Sequence, residues 1–136
     1  MRLHRDAKAD VIRSIPLFAD CTTAQLAAIG AVADEIDLPA GKELTVENAV
    51  GEEFVAIAGG SAEVRRGSAV LATLGAGDHF GEVALLTGSP RNATVVATTP
   101  VHALVIARRD LAVLLSEIPG LRDRLTAALE VRGGAA

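Results

Sequence analysis

A chain of 136 residues and 13.9 kDa, half of them hydrophobic, can bury about two thirds of its unfolded surface in one core, so a single domain over residues 1–136 is expected. The net charge is −4, with the acidic excess in residues 14–107, and there is no Trp, no Tyr and only three Phe; the basic face that neutralises duplex phosphates and the aromatic platforms that stack single strands are both missing, which excludes direct nucleic-acid binding. No uncharged stretch reaches the ~20 apolar residues of a membrane-spanning helix, the first residues mix charges of both signs where a secretory leader has an apolar core, and the lone Cys21 can form no internal disulfide, so a cytoplasmic chain without a membrane segment is expected.

In chain order, residues 6–13 read as a short helix, ended by the apolar elbow Ile15-Pro16-Leu17-Phe18 because Pro16 cannot continue the pattern. Cys21 has no flanking His or basic residue to activate it and reads as a small buried hydrophobe. Thr22 with Gln25 three residues on has the form of a capping box, and Leu26, Ile29 and Ala33 then repeat at helical spacing to an end near Asp34. From Ile36 to Ala107 short β-rich runs alternate with turns at 38–41, 58–61, 65–68 and 74–78. Phe54, Ile57, Val64, Val70, Leu71, Val95, Val96, Val101, Leu104, Val105 and Ile106 supply the strand positions. Helical spacing returns with Leu111, Leu114 and Leu115. A last helix is expected to start at Pro119, to carry Leu121, Leu125, Ala128 and Leu129 on its apolar face, and to end at Gly133-Gly134. Arg122, Arg124 and Arg132 read as its solvated face.

The expected fold class is therefore α+β, mainly β: an antiparallel β-roll or jelly roll with flanking N-terminal helices and C-terminal lid helices. Residues 1–35 form the first helices, 36–107 the roll and 108–132 the closing helices.

One segment breaks the strand pattern. Residues 80–95 read Phe-Gly-Glu-Val-Ala-Leu-Leu-Thr-Gly-Ser-Pro-Arg-Asn-Ala-Thr-Val. Gly81 permits close approach of backbone to a ligand, residues 82–86 suit one helical turn whose free N–H groups point at an anion, and Pro90 ends the excursion. Arg91 adds a planar cation for a singly charged phosphate, and Glu82 can accept hydrogen bonds from a hydroxyl. Together they suit a sugar phosphate.

These residues resemble the phosphate-binding cassette of cyclic-nucleotide-binding domains, G-E-x-A-L followed a few residues on by P-R-x-A-[ST], here within residues 80–94. The resemblance extends along the chain. Residues 15–18 look like the family's xPLF motif, Pro39-Ala40-Gly41 like its PAG, residues 60–64 like its GxxxV hairpin, and the closing helices like those of bacterial cyclic-nucleotide-regulated potassium channels. Two departures are the turn at Glu47-Asn48-Ala49-Val50-Gly51-Glu52 and the single Phe54 where the family often has an aromatic pair.

What the resemblance implies is a sensor, not an enzyme. Glu82 is expected on the ribose 2′-hydroxyl and Arg91 on the cyclic phosphate, with backbone N–H groups near Gly81, Ala84 and Ala93 completing the cradle. Val70, Leu71 and Val83 are expected as apolar contacts to sugar and base. Arg132 aligns with a lid arginine of the channel-like relatives and is the outlying candidate for contact with the base. Asn92 follows the arginine, and its amide both donates and accepts, so it does not select between cAMP and cGMP; cAMP is the favoured ligand. No cofactor or metal is expected, because His4, His79 and His102 are scattered. The expected partners are the cyclic nucleotide and a protein effector or second copy. The rival reading is an interaction or dimerisation module of the same fold that binds no nucleotide.

Overall fold

The computed structural model describes residues 3–45, 53–81 and 93–131. Helix α1 (Leu3–Ser14) leads through a 3-10 turn (Pro16–Phe18) into α2 (Thr23–Val32). Eight strands follow: β1 (Ala33–Leu38), β2 (Glu43–Thr45), β3 (Glu53–Gly59), β4 (Ala62–Arg66), β5 (Ala69–Leu74), β6 (His79–Phe80), β7 (Thr94–Ala97) and β8 (Val101–Ala107). Helices α3 (Arg108–Glu117) and α4 (Leu121–Val131) close the described chain. The strands form two antiparallel four-stranded sheets, ordered β1-β8-β3-β6 and β2-β7-β4-β5. This is the expected antiparallel roll flanked by helices.

Two cores divide the molecule. Val55, Ile57, Val64, Leu74, Phe80, Val95, Val101 and Val105 fill the space between the sheets. Phe54, Ala56, Leu104 and Ile106 leave the other face of the first sheet and pack under Phe18, Leu26, Ile29, Leu111, Leu114, Leu121 and Leu125 of the helical layer. Successive strand residues point to opposite faces, so β3 and β8 are buried on both sides, and Val101–Ala107 is accordingly near-continuous in apolar residues.

A local signal sets the start of α2. Thr22 Oγ1 accepts the Gln25 N–H at 3.1 Å and Thr22 N–H donates to Gln25 Oε1 at 2.9 Å, closing the capping box that the sequence spells. At its other end α2 passes straight into β1: Ala33 is already extended, its N–H still bonds Ile29 O, and it pairs with Ile106. The helix therefore stops at Val32 and the first strand starts three residues before the expected Ile36, because pairing with β8 begins there. Likewise α1 is longer than residues 6–13.

The last helix corrects the expectation at Pro119. It starts at Leu121, because Ile118-Pro119-Gly120-Leu121 is a turn closed by the Leu121 N–H on Ile118 O at 3.2 Å, and Pro-Gly suits the two central places of such a turn. The first helical bond, Arg124 N–H to Gly120 O at 3.0 Å, follows it. Arg124 is also not on a solvated face. Its Nε donates to Leu17 O at 3.1 Å, tying α4 to the N-terminal elbow. Arg132 and the expected helix end at Gly133-Gly134 lie outside the described residues, as does the 47–52 turn. Among the described residues no helix is long and apolar enough to cross a membrane.

Candidate ligand-binding site

The cassette is anchored at both ends by the two-sheet architecture. Its root is β6, whose Phe80 pairs with Val55 in the helix-covered sheet and is fully buried inside the roll. Gly81 follows, buried, with φ +98°, a conformation open to glycine and strained for any residue with a Cβ. Its exit is Ala93, 1% exposed, which leads into β7 of the other sheet. The segment between Gly81 and Ala93 therefore crosses from one sheet to the other, and the break in strand pattern marks that crossing. Glu82, Val83, Ala84, Arg91 and Asn92, with the expected helical turn and Pro90, lie outside the described residues.

The described residues beside the exit form one row across three strands. Thr94 of β7 pairs with Arg65 of β4, and Arg65 pairs with Val70 of β5. Pairing slips at this row: Val64 faces Ala72 but Arg65 faces Val70, so Leu71 is the extra residue of a β-bulge. The bulge interrupts the inward alternation that buries Leu74 and leaves Val70 and Leu71 exposed by 54% and 41%; re-aiming side chains next to a binding site is a recurrent use of bulges. Val70 thus ends the row that starts at Thr94, and Val70 with the bulged Leu71 presents exposed apolar surface there. No sequence signal announced the bulge, since 69–74 reads as an unbroken strand.

Arg65 is the residue of this row that the sequence reading passed over as part of a turn. Its guanidinium donates twice to Glu63 Oε1, Nε at 3.0 Å and Nη2 at 2.6 Å, so its charge is locally matched. The titrating groups lie elsewhere. His102 sits between Asp37 Oδ1, 2.8 Å from Nδ1, and Glu35 Oε2, 2.9 Å from Nε2. A carboxylate only accepts, so both contacts are hydrogen bonds together only when both ring nitrogens carry a proton, and the pair of carboxylates favours the imidazolium. Its pKa is raised, first by the hydrogen bond to Asp37, with burial acting in the opposite direction and Glu35 adding to the rise. Cys21 is buried, and that burial pushes its thiol up against a smaller lowering by Arg124, the setting of an unreactive thiol. Among the described residues no group of three or more His, Cys, Asp or Glu is placed to hold a metal.

Two antiparallel four-stranded sheets whose connection from β6 to β7 is rooted in a positive-φ glycine, with helices before and after them, define the class of fold. The model of the cyclic nucleotide-binding domain family matches residues 35–117, and the chain belongs to that family. It is 36% identical over 110 residues to a cAMP-dependent protein kinase regulatory subunit of Eremothecium gossypii, covering 80% of this chain and 24% of that protein. It is 34% identical over 125 residues to a cyclic nucleotide-gated potassium channel of Rhizobium etli, covering 91% and 35%. The chain thus spans about a quarter to a third of the length of these relatives. Among solved structures, cAMP-bound PfPKA-R (141–441) superposes with a TM-score of 0.86 at 23% identity, over 95% of this chain and 45% of that one, which establishes the shared fold.

Proposed function

We propose that this chain is a single regulatory domain that senses cAMP in preference to cGMP and performs no catalysis of its own. The observation that carries the proposal is the crossing segment: the family's G-E-x-A-L and P-R-x-A-[ST] residues fall in the gap between β6 and β7, entered through the positive-φ Gly81 and left through the buried Ala93. In this reading the Arg91 guanidinium pairs with the cyclic phosphate through a planar fork, Glu82 accepts from the ribose 2′-hydroxyl, and the N–H groups near Gly81, Ala84 and Ala93 complete the anion cradle. Val70, Leu71 and Val83 cover the apolar faces of sugar and base, Asn92 offers an amide to the purine, and Arg132 reaches it from the last helix. The names of the kinase regulatory relative and of the solved PfPKA-R complex favour cAMP.

Signalling then consists of a population shift in the closing helices. Ligand held by the cassette favours one placement of α3 and α4 over another by as much as its affinity for the two differs. The reader of that shift is a protein effector, further parts of a longer chain, or a second copy. The buried, free Cys21 agrees with a reducing, cytoplasmic setting.

Calorimetric titration of the purified chain with cAMP, cGMP and 5′-AMP tests the proposal. Micromolar or tighter binding of cAMP, weaker binding of cGMP, and far weaker binding of 5′-AMP are expected, since the linear phosphate carries extra charge and lacks the ring geometry. Equal affinity for cAMP and 5′-AMP would overturn the roles of Arg91 and Glu82. No binding of any of them would favour the rival interaction module.

A further inference from the structure

The root of the cassette touches both cores at once. His79 pairs with Ala56, which faces the helices, and Phe80 pairs with Val55, which faces the roll interior. These consecutive residues therefore straddle the sheet directly before Gly81. On the helix side the His79 ring centroid lies 5.4 Å from that of Phe54, and Phe54 lies 6.5 Å from Phe18 in an edge-to-face arrangement of 75°. Phe18 closes the 3-10 elbow, and the elbow's Leu17 carbonyl receives Arg124 Nε from α4. The same elbow abuts the turn that leads into β6: a Cβ built on Gly77 would stand 3.2 Å from Pro16 Cδ. Continuous contact thus runs from the residue pair before Gly81 to the last helix without passing through the roll interior.

We propose that Phe54 is a positioning residue of the ligand site, coupling the cassette root to α4 through His79, Phe18 and the Arg124–Leu17 bond. The proposal rests on the nucleotide-binding reading above and names its regulation. Phe54 is fully buried, and its ring is in contact with both His79 and Phe18; a packed interior transmits displacement because it has no free volume to absorb it. By linkage, whatever factor the ligand imposes on the hold of the elbow on α4, that hold imposes on ligand affinity.

The test is a double-mutant cycle on the full chain with Phe54→Leu and Arg124→Ala, read by cAMP titration. Leucine keeps the site apolar but withdraws the ring edge. Each single change is expected to shift the cAMP affinity at least about threefold, and the two together by at least about threefold less than their product, as for residues in one network. Multiplicative effects would overturn the coupling while leaving the nucleotide reading intact. Hydrogen exchange of the β6 amides gives a ligand-free readout. Arg124→Ala is expected to accelerate it at least about threefold, and Arg122→Ala, an exposed position on the same helix, to leave it unchanged. Equal rates in the two variants would break the link from α4 to β6 whatever the ligand. Exchange coupling in a chain that binds neither cAMP nor cGMP would uphold the mechanical link and overturn the nucleotide reading.

Discussion

Removing residues 121–136 and removing only residues 127–136 are expected to produce different proteins, because the first takes away the whole of the last helix, Leu121–Val131, and the second leaves its first six residues. Leu121 and Leu125 are fully buried in the helical core, and Arg124 between them holds the elbow carbonyl. Each buried leucine is worth about 2–5 kcal/mol against a small replacement, so losing both costs about 4–10 kcal/mol, comparable with the whole stability of a domain of this size. A cut after Thr126 spares both leucines and the Arg124 bond, and it removes Arg132. The shorter deletion is therefore expected to unfold cooperatively in urea within about 2 kcal/mol of the intact chain, and to bind cAMP about tenfold more weakly if the distal helix closes on the ligand. The longer deletion is expected to be largely unfolded in buffer. Far-UV circular dichroism serves for the unfolding curves, since the chain has no Trp, and calorimetry for the affinities. Equal stability losses would refute the anchoring role of Leu121 and Leu125. Full cAMP affinity in a folded 127–136 deletion would refute the lid.

Other changes probe the remaining parts. Arg91→Ala is expected to cost about 2–4 kcal/mol of cAMP binding and Glu82→Ala about 1–3 kcal/mol, because the first leaves a phosphate without its charge partner and the second removes hydrogen bonds from a neutral hydroxyl; the reverse order by calorimetry would overturn the assignment of phosphate and ribose. Gly81→Ala, at φ +98°, is expected to lose about 1–3 kcal/mol of stability from backbone strain and to weaken cAMP binding, and an unchanged urea midpoint would contradict the turn at the cassette root. The Glu35–His102–Asp37 clasp makes stability fall with rising pH. The folded-state pKa of His102 is raised above 6.5, so its contribution is complete below that value and is lost as pH climbs through the folded pKa. With His102 about a third exposed and Asp37 mostly so, the loss is about 0.5–1 kcal/mol after screening. Urea curves of the native chain and His102→Gln on either side of that window check it, and the same pH slope in both would remove the clasp.

The fold was legible wherever one local cause decides. The capping box at Thr22 and Gln25 and the elbow at Pro16 follow from residue types that permit little else, and the turns expected at 38–41, 58–61, 65–68 and 74–78 are all found, though shorter, because the strands run on into them through Leu38, Gly59, Arg66 and Leu74. The sequence misled where tertiary pairing competes with local preference. Ala33 has the helical spacing of its neighbours but is claimed by Ile106 across the sheet. Pro119 looks like a helix start until Gly120 beside it makes the pair a turn. Arg124 is indistinguishable in sequence from Arg122, and only the position of the Leu17 carbonyl separates a buried tie from a solvated charge.

The candidate site was marked in the sequence by a different kind of signal. A strand needs its side chains to alternate, and residues 81–93 satisfy neither that period nor a long helical one, so the pattern alone marks an interruption of the sheets. β6, two residues long, ends at Gly81, and β7 begins again beyond Ala93 in the other sheet, so the interruption costs the roll little ladder pairing. What the pattern could not reveal is the exposure of Val70 and Leu71. Val70 and Leu71 lie in a run whose composition is that of an ordinary strand, and their exposure depends on a one-residue slip against Arg65 and Val64 that no residue in the run demands. The same holds for Phe54. Its sequence position says only that it is a strand aromatic, whereas its place between His79 and Phe18 follows from β6 pairing with β3 while the N-terminal elbow packs on the same, helix-covered face of that sheet.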